Sequence, residues 1–247
     1  MKSISFISFL FFVFLFSACA EKKEVFDPAA AFGMAEEKMQ KGDYENARKG
    51  YQEIQEKSPE RTYEPALMLR IADTYYGEEK YEEALVEYRS FLNYHPANKE
   101  AAYVQYQIAM CNYMRLSTID RDPEMTRTAL REFQTLLAKF PKSVYEKEAR
   151  EGIALCSDLL AQYEMYVAQF YQRKGNLRVA IVRYEKLLAD YPGSTVEKDA
   201  LYEAAKASLT LGEREKARSL AETLVQKYPA MADKAAPLLG QPGTAAR

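Results

Sequence analysis

The chain has 247 residues, and its 34 Lys and Arg residues nearly balance 36 Asp and Glu residues, which gives a formal net charge of -2 at pH 7. This near-neutral charge argues against a nucleic-acid-binding protein, because such a protein usually carries an excess of basic residues in a stripe or patch. We therefore expect no nucleic acid among its partners.

The first 18 residues have the composition of a secretory signal peptide. Lys2 is followed by an apolar run from Ile4 to Phe16, and the small residues Ser17 and Ala18 precede Cys19. Such a run is too short to span a membrane as a stable anchor. We predict that residues 1–18 are removed and do not belong to the fold.

The segment Phe16-Ser17-Ala18-Cys19 resembles the lipobox of bacterial lipoproteins. This resemblance implies that Cys19 becomes an acylated N-terminus after cleavage, and several acyl chains hold a protein in a leaflet almost permanently. Ala20, rather than Asp, follows the Cys, which implies export to the outer membrane. We expect residues 19–28 to be a lipidated tether. The alternative is a signal peptide with an incidental Cys at its cleavage site.

Five helices are predicted by one spacing that repeats along the chain. An Ala is followed after four residues by an aromatic or small residue, after seven by an aliphatic residue or Phe, and after twelve by Pro. These positions share one face of a helix that the Pro ends. The five sets are Ala47/Tyr51/Ile54/Pro59, Ala84/Tyr88/Phe91/Pro96, Ala129/Phe133/Leu136/Pro141, Ala180/Tyr184/Leu187/Pro192 and Ala217/Ala221/Leu224/Pro229. The alternative is five unrelated amphipathic helices.

A second amphipathic segment and a short turn precede each of these helices. Gly42, Gly175 and Gly212 lie in three of the turns, where a Gly can adopt the left-handed conformation that ends a helix. Helical hairpins of this kind resemble the tetratricopeptide (TPR) repeat. The resemblance implies an all-α fold, an α-solenoid of five TPR hairpins over residues 29–229. We place the repeats at about 29–61, 62–98, 99–142, 143–193 and 194–229, and we expect 230–247 to form a flexible tail.

Two repeats are longer than the others, because the intervals between the five Ala residues are 37, 45, 51 and 37. The first insertion, around 115–124, contains Pro123 and cannot be continuous helix, so we predict a projecting loop. The second adds about four helical turns to the basic interval, which lengthens a helix without rotating its apolar face. We therefore predict one long helix from Ser143 to Lys174.

The residues that could perform chemistry are few. The only His, His95, lies directly before Pro96, and the sequence has no Cys-Xaa-Xaa-Cys pair and no Gly-rich phosphate loop. We therefore predict that the protein is not an enzyme and that it binds neither a metal nor a cofactor. A disulfide between Cys111 and Cys156 is conceivable after export. We favour two buried thiols, since adjacent helices lie too far apart for such a bond.

The combination of lipobox, five repeats, insertion loop and long helix resembles the BamD family, also called YfiO or ComL, of outer-membrane assembly lipoproteins. The residues that carry the resemblance run from Asp120-Arg121-Asp122-Pro123 through Ala129, Phe133 and Phe140-Pro141-Lys142-Ser143 to Tyr163-Glu164, Val167-Ala168 and Tyr171.

Membership would imply a lipid-anchored scaffold on the periplasmic face of the outer membrane. Its expected partners are a BamA-like barrel protein with POTRA domains, other assembly lipoproteins and unfolded β-barrel substrates. Repeats 3 to 5 would bind the POTRA domain nearest the barrel, and the amino-terminal repeats would contact the carboxy-terminal signal of a substrate.

The resemblance assigns two partner-binding residues. Arg183 lies where the family has an Arg that pairs with an acidic residue of the BamA-like subunit, and Tyr63 lies where the family has a substrate-facing Tyr. A solvated helix residue is the alternative for Arg183, and a packing residue is the alternative for Tyr63.

Two other functions remain open at this point. One is a TPR lipoprotein scaffold for pilus or secretin assembly, or for another complex of the cell envelope. The other is a periplasmic module that binds a solute or peptide, or an enzyme subunit, which would need a closed polar pocket.

Overall fold

The computed structural model describes residues 26–58 and 61–239, and every regular element in these ranges is helical. Short 3₁₀ turns occupy Arg61–Tyr63 and Pro229–Met231. The α-helices are α1 (Pro28–Gln40), α2 (Tyr44–Lys57), α3 (Glu64–Gly77), α4 (Tyr81–Tyr94), α5 (Ala101–Tyr113), α6 (Glu124–Lys139), α7 (Glu146–Arg173), α8 (Leu177–Asp190), α9 (Glu197–Thr210), α10 (Arg214–Lys227) and α11 (Ala232–Leu239).

The first ten helices form five hairpins, and each hairpin packs on the next along the chain. The hairpins pack closely because a small side chain lies on each second helix where it contacts the first helix. The five spaced Ala residues are all 0% exposed: Ala47, Ala84, Ala129, Ala180 and Ala217. The predicted all-α TPR solenoid is therefore confirmed.

The turns inside the hairpins have the left-handed conformation that the sequence predicts. Gly42, Gly175 and Gly212 have φ angles of 75°, 78° and 79°. Repeat 2 has Glu79 in this position, with φ of 60°. Lys80 then donates its backbone N–H to the carbonyl of Tyr75 at 2.9 Å, which is a helix-ending bond that glycine turns also make.

The two predicted insertions are both confirmed. The loop of residues 114–123 separates α5 from α6, and α7 is a single helix of 28 residues, about 42 Å long at 1.5 Å per residue. Its amino-terminal half packs against α6 through Ala149 and Cys156. Its carboxy-terminal half packs against α8 through Ala161 and Ala168. Helix α7 therefore contributes to both the core of repeat 3 and the core of repeat 4.

The prediction of a flexible tail over 230–247 is wrong for its first part. Helix α11 buries Ala235 and Leu238, and Leu238 packs on Ala205 of α9 and Ala221 of α10. The last hairpin of a solenoid leaves one face without a following repeat, and α11 covers that face. Residues 240–247 lie outside the described residues.

The amino-terminal boundary of the fold lies close to the predicted end of the tether. Asp27 caps α1 by accepting backbone N–H groups from Ala29 and Ala30, and α1 begins at Pro28. The predicted signal peptide and residues 19–25 of the predicted tether lie outside the described residues.

Cys111 of α5 and Cys156 of α7 are both buried free thiols. Burial raises the pKa of the Cys111 thiol to about 12 and that of Cys156 to about 11. Both side chains therefore act as small apolar groups in the core.

Substitution of Gly152 by Ala tests the close contact between α7 and α6. A Cβ at Gly152 lies 2.6 Å from the Phe133 ring, whereas a Cβ at Gly33 of α1 has open space around it. We expect Gly152→Ala to lower the free energy of unfolding by about 1–3 kcal/mol because of overpacking. Gly33→Ala is the matched control and should raise it by up to about 1 kcal/mol. Urea unfolding measures both changes, and equal effects of the two substitutions would contradict the close contact.

Candidate functional site

A cavity of about 580 Å³ opens between the first helices of repeats 1, 2 and 3. Its walls combine aromatic and aliphatic side chains with a few polar ones, a mixture that is typical of ligand pockets. The lining residues are Phe32 of α1, Thr62, Pro65, Ala66, Leu69 and Arg70 of the α3 region, Phe91 of α4, Asn98, Lys99, Glu100 and Tyr103 of the α5 region, and Tyr145.

The aromatic side of this cavity is held by ring contacts. The Tyr145 ring stacks on Tyr106 at 4.9 Å between centroids and lies 6.0 Å from Tyr103. Such contacts hold planar side chains rigidly. The cavity wall at α5 is therefore preorganised.

Asp73 joins repeats 2 and 3 beside the cavity. Its Oδ1 accepts hydrogen bonds from the hydroxyls of Tyr88 at 2.7 Å and Tyr103 at 2.9 Å. Its Oδ2 pairs with Arg70 at 3.0 Å, and Arg70 also binds Glu36 of α1 at 2.8 Å. Two residues that line the cavity, Arg70 and Tyr103, are therefore fixed by one buried carboxyl group.

Burial raises the pKa of the Asp73 carboxyl. The hydrogen bonds from Tyr88, Tyr103 and Arg70 oppose this rise without cancelling it. Burial disfavours the charged form of the Asp73 carboxyl, and the three hydrogen-bond donors stabilise that charged form.

Tyr63 is half-buried and does not line the cavity itself. Its ring centroid is 6.3 Å from that of Phe32, and it packs against the core of repeat 1 with Tyr51 and Ile54. Phe32 lines the cavity directly. Tyr63 therefore supports the cavity wall from behind.

Arg183 lies far along the solenoid, on α8. Its Nη1 donates to Oε2 of Glu164 at 3.2 Å, and Lys186 pairs with Oε1 of the same carboxylate at 3.0 Å. The Glu164 side chain is 4% exposed and that of Arg183 is 37% exposed. Within the described residues, the Nε and Nη2 atoms of Arg183 have no acceptor. This free edge of the guanidinium can bind a carboxylate bidentately.

The structure does not bring Arg183 and Tyr63 together, since they belong to the fourth and second hairpins. Cys19, the predicted lipidation site, lies outside the described residues. Within residues 26–58 and 61–239, no three potential metal ligands cluster. Over the same ranges, no helix combines the length and apolar character that a membrane span requires.

Comparison with protein families identifies the chain. Residues 25–224 match the model of a family described as YfiO, outer membrane lipoprotein. The chain belongs to the YfiO family. The resemblance noted in the sequence is therefore confirmed.

Individual relatives of the YfiO chain are similar over most of their length. Outer membrane protein assembly factor BamD of Rickettsia prowazekii is 30% identical over 191 residues, which cover 77% of this chain and 76% of the relative. BamD of Pasteurella multocida is 26% identical over 214 residues, with 81% of each chain covered. Among solved structures, the TPR2AB domain of yeast Sti1 has a TM-score of 0.46 at 12% identity and covers 86% of this chain and 81% of that chain.

Sequence reasoning missed two buried carboxyl groups, Asp73, which positions Arg70 and Tyr103, and Glu164, which positions Arg183. Both lie on first helices among residues with helical spacing. Glu164 takes a position that is apolar in repeats 1, 2 and 5, which is a weak signal. The position of Asp73 is also polar in repeats 1, 4 and 5, so its spacing gives no signal, and the partners of both residues on other helices lie 15 to 30 residues away.

Tyr88→Phe and Tyr184→Phe together test the importance of the Asp73 contacts. Both tyrosines are fully buried and occupy the same repeat position, but Tyr88 donates to a carboxyl group while Tyr184 donates to the amide oxygen of Gln172 at 2.6 Å. We expect Tyr88→Phe to cost about 1.5–3 kcal/mol and Tyr184→Phe about 1 kcal/mol, because bonds to charged groups are stronger. Thermal unfolding of the purified variants measures the difference. A larger loss in Tyr184→Phe would contradict this ranking.

Proposed function

We propose that this protein is a lipid-anchored scaffold of the machinery that assembles β-barrel proteins in the outer membrane. The observation that carries the proposal is the YfiO family match over residues 25–224. It is supported by relatives that are outer membrane protein assembly factors. The protein has no catalytic turnover in this role and works by holding other proteins.

The carboxy-terminal repeats bind the POTRA domain of a BamA-like subunit in this proposal. The support in the structure is the open edge of Arg183, which Glu164 orients through a single nitrogen atom. A carboxylate of the partner then binds the Nε and Nη2 atoms as a bidentate pair. Other assembly lipoproteins are further partners in the same complex.

The amino-terminal repeats bind the carboxy-terminal strand of an unfolded β-barrel substrate. The cavity beside Asp73 has an aromatic wall for an apolar side chain. Lys99 at its rim is largely exposed and pairs with the adjacent Glu100 at 3.8 Å, a distance long enough for Lys99 to turn toward a terminal carboxylate. Tyr63 contributes by supporting Phe32. The cavity is open at the surface, as an extended chain requires.

Acylated Cys19 anchors the scaffold to the periplasmic face of the outer membrane. The chain between Cys19 and α1 spans at most about 30 Å when it is fully extended. This tether keeps the first repeat near the bilayer and gives the protein a high effective concentration beside its membrane partner.

Purification of the acylated protein from its native membrane tests the proposal as a whole. Mild detergent extraction followed by mass spectrometry should recover a POTRA-bearing barrel protein in stoichiometric amount and a lipid-modified Cys19. Recovery of a secretin or of a peptidoglycan-associated protein instead would overturn the assembly role.

Arg183→Gln tests the docking contact. We expect binding to the isolated POTRA domain to weaken at least tenfold, which corresponds to about 1.4 kcal/mol, because the bidentate pair is lost. Arg150→Gln is the control, since Arg150 is exposed on α7 and, among the residues that the structure describes, pairs only with Glu146 one turn away. Isothermal titration calorimetry measures both. Equal affinities of the two variants would contradict the contact.

Charge reversal at Arg183 needs a second substitution. Arg183→Glu places a carboxylate beside buried Glu164, and the two like charges destabilise the helix pair. Glu164→Gln removes this repulsion. The double variant should therefore regain thermal stability and still fail to bind, which separates a docking defect from a folding defect.

Ala66→Phe tests the cavity. Ala66 is exposed at the cavity wall, so a larger side chain there fills the space without disturbing the core. We expect a fluorescent peptide with the carboxy-terminal strand of a β-barrel protein of the same bacterium to bind at least fivefold more weakly, as measured by anisotropy. Val86→Phe is the control, because Val86 is 63% exposed on α4 and does not line the cavity. Unchanged peptide affinity in Ala66→Phe would overturn this site.

A further inference from the structure

The exposed face of α8 has a charge pattern that its counterparts in the other repeats lack. Each second helix carries five positions around its buried Ala that correspond to Arg178, Val179, Val182, Arg183 and Lys186. In α8 three of these positions are cations and none is acidic. The corresponding positions of α4 are Glu82, Glu83, Val86, Glu87 and Ser90, and those of α2, α6 and α10 each include at least one Glu.

These five residues of α8 form one continuous surface. They line a shallow, open depression of about 340 Å³, and no other helix of the described part of the chain lines it. Val182 is 61% exposed at its centre. Exposed apolar side chains surrounded by charges are typical of protein–protein contact sites.

Arg178 differs from the other two cations of this surface because it contributes no ion pair to the described part of the fold. It is exposed, and within the described residues it makes no ion pair, whereas Lys186 pairs with both Glu164 and Asp190. It lies in the first turn of α8, which contains no acidic residue. A cation is unfavourable there because the amino-terminal end of a helix is itself positive. An anionic group of a partner that binds Arg178 would therefore also be stabilised by the positive end of α8.

We infer that α8 receives two carboxylates of its partner, one on the open edge of Arg183 and one on Arg178, with an apolar side chain seated on Val182 between them. The inference rests on the proposed docking function and adds Arg178 as a specificity-determining residue. Arg178 and Arg183 lie five residues apart, about 7.5 Å along the helix axis and about 140° around it, so they flank Val182 from the two edges of the surface. The partner is therefore a protein surface with two acidic residues that are separated by more than this axial distance.

The test measures binding of the POTRA domain nearest the barrel to the full folded chain at two salt concentrations. Arg178→Glu should weaken binding at least tenfold, and Arg178→Ala should weaken it three- to tenfold and reduce the effect of salt, because a peripheral charge that guides association is lost. Val182→Ser should weaken binding about threefold. Arg178 and Val182 are exposed, so none of these substitutions should lower the thermal stability, and Arg178→Glu should raise it slightly because an acidic residue is favoured in the first turn of a helix.

Arg214→Glu is the matched control, because Arg214 is an exposed cation in the first turn of α10 and makes no ion pair within the described residues. It should change affinity less than twofold. A partner substitution of one acidic residue by Lys should restore binding to Arg178→Glu.

The outcomes separate the inference from the function on which it rests. If the unaltered protein does not bind the POTRA domain, the docking function fails and the inference fails with it. If Arg183→Gln abolishes binding while Arg178→Glu binds as tightly as the control, only the inference is overturned. Self-association through the α8 and α4 faces, seen as a concentration-dependent mass in sedimentation that Arg178→Glu removes, would also overturn it.

Discussion

The contact between an alanine and the facing helix determines how closely each hairpin packs. All five of these alanines are completely buried, and a larger side chain at any of them would push the two helices apart. Close packing brings the following aromatic residue of the second helix within reach of a polar group on the first. The hydrogen bonds of Tyr51 with Glu36, Tyr88 with Asp73 and Tyr184 with Gln172 all depend on this approach.

Most of the fold follows from spacing that is local in the sequence. The Ala-to-Pro interval predicts the second helices, and the length of the second insertion predicts α7, because helical periodicity acts over a few residues. The turn of repeat 2 is less obvious, since Glu79 adopts a conformation that usually requires Gly. Helix α11 was not predicted because its sequence is rich in Ala and Pro, and its stability comes from contact with α9 and α10 rather than from its own composition.

The candidate sites were predictable only in part. Family resemblance located Arg183 and Tyr63, but it could not show that Glu164 binds Arg183 or that Tyr63 packs behind Phe32. Those relations join residues on different helices and depend on how neighbouring hairpins are oriented. The charge pattern of α8 was present in the sequence, and it became informative only when the same positions in the other helices were known to be equivalent.

The length of α7 has a mechanical consequence. A single helix of 28 residues is packed against α6 at one end and against α8 at the other, so these two neighbours cannot rotate independently about a loop. Tyr145 directly precedes α7 and forms part of the cavity wall, and Arg183 binds a residue in its second half. The α8 face and the wall of the cavity are therefore connected by one continuous helix, and α7 holds these two surfaces at a fixed separation.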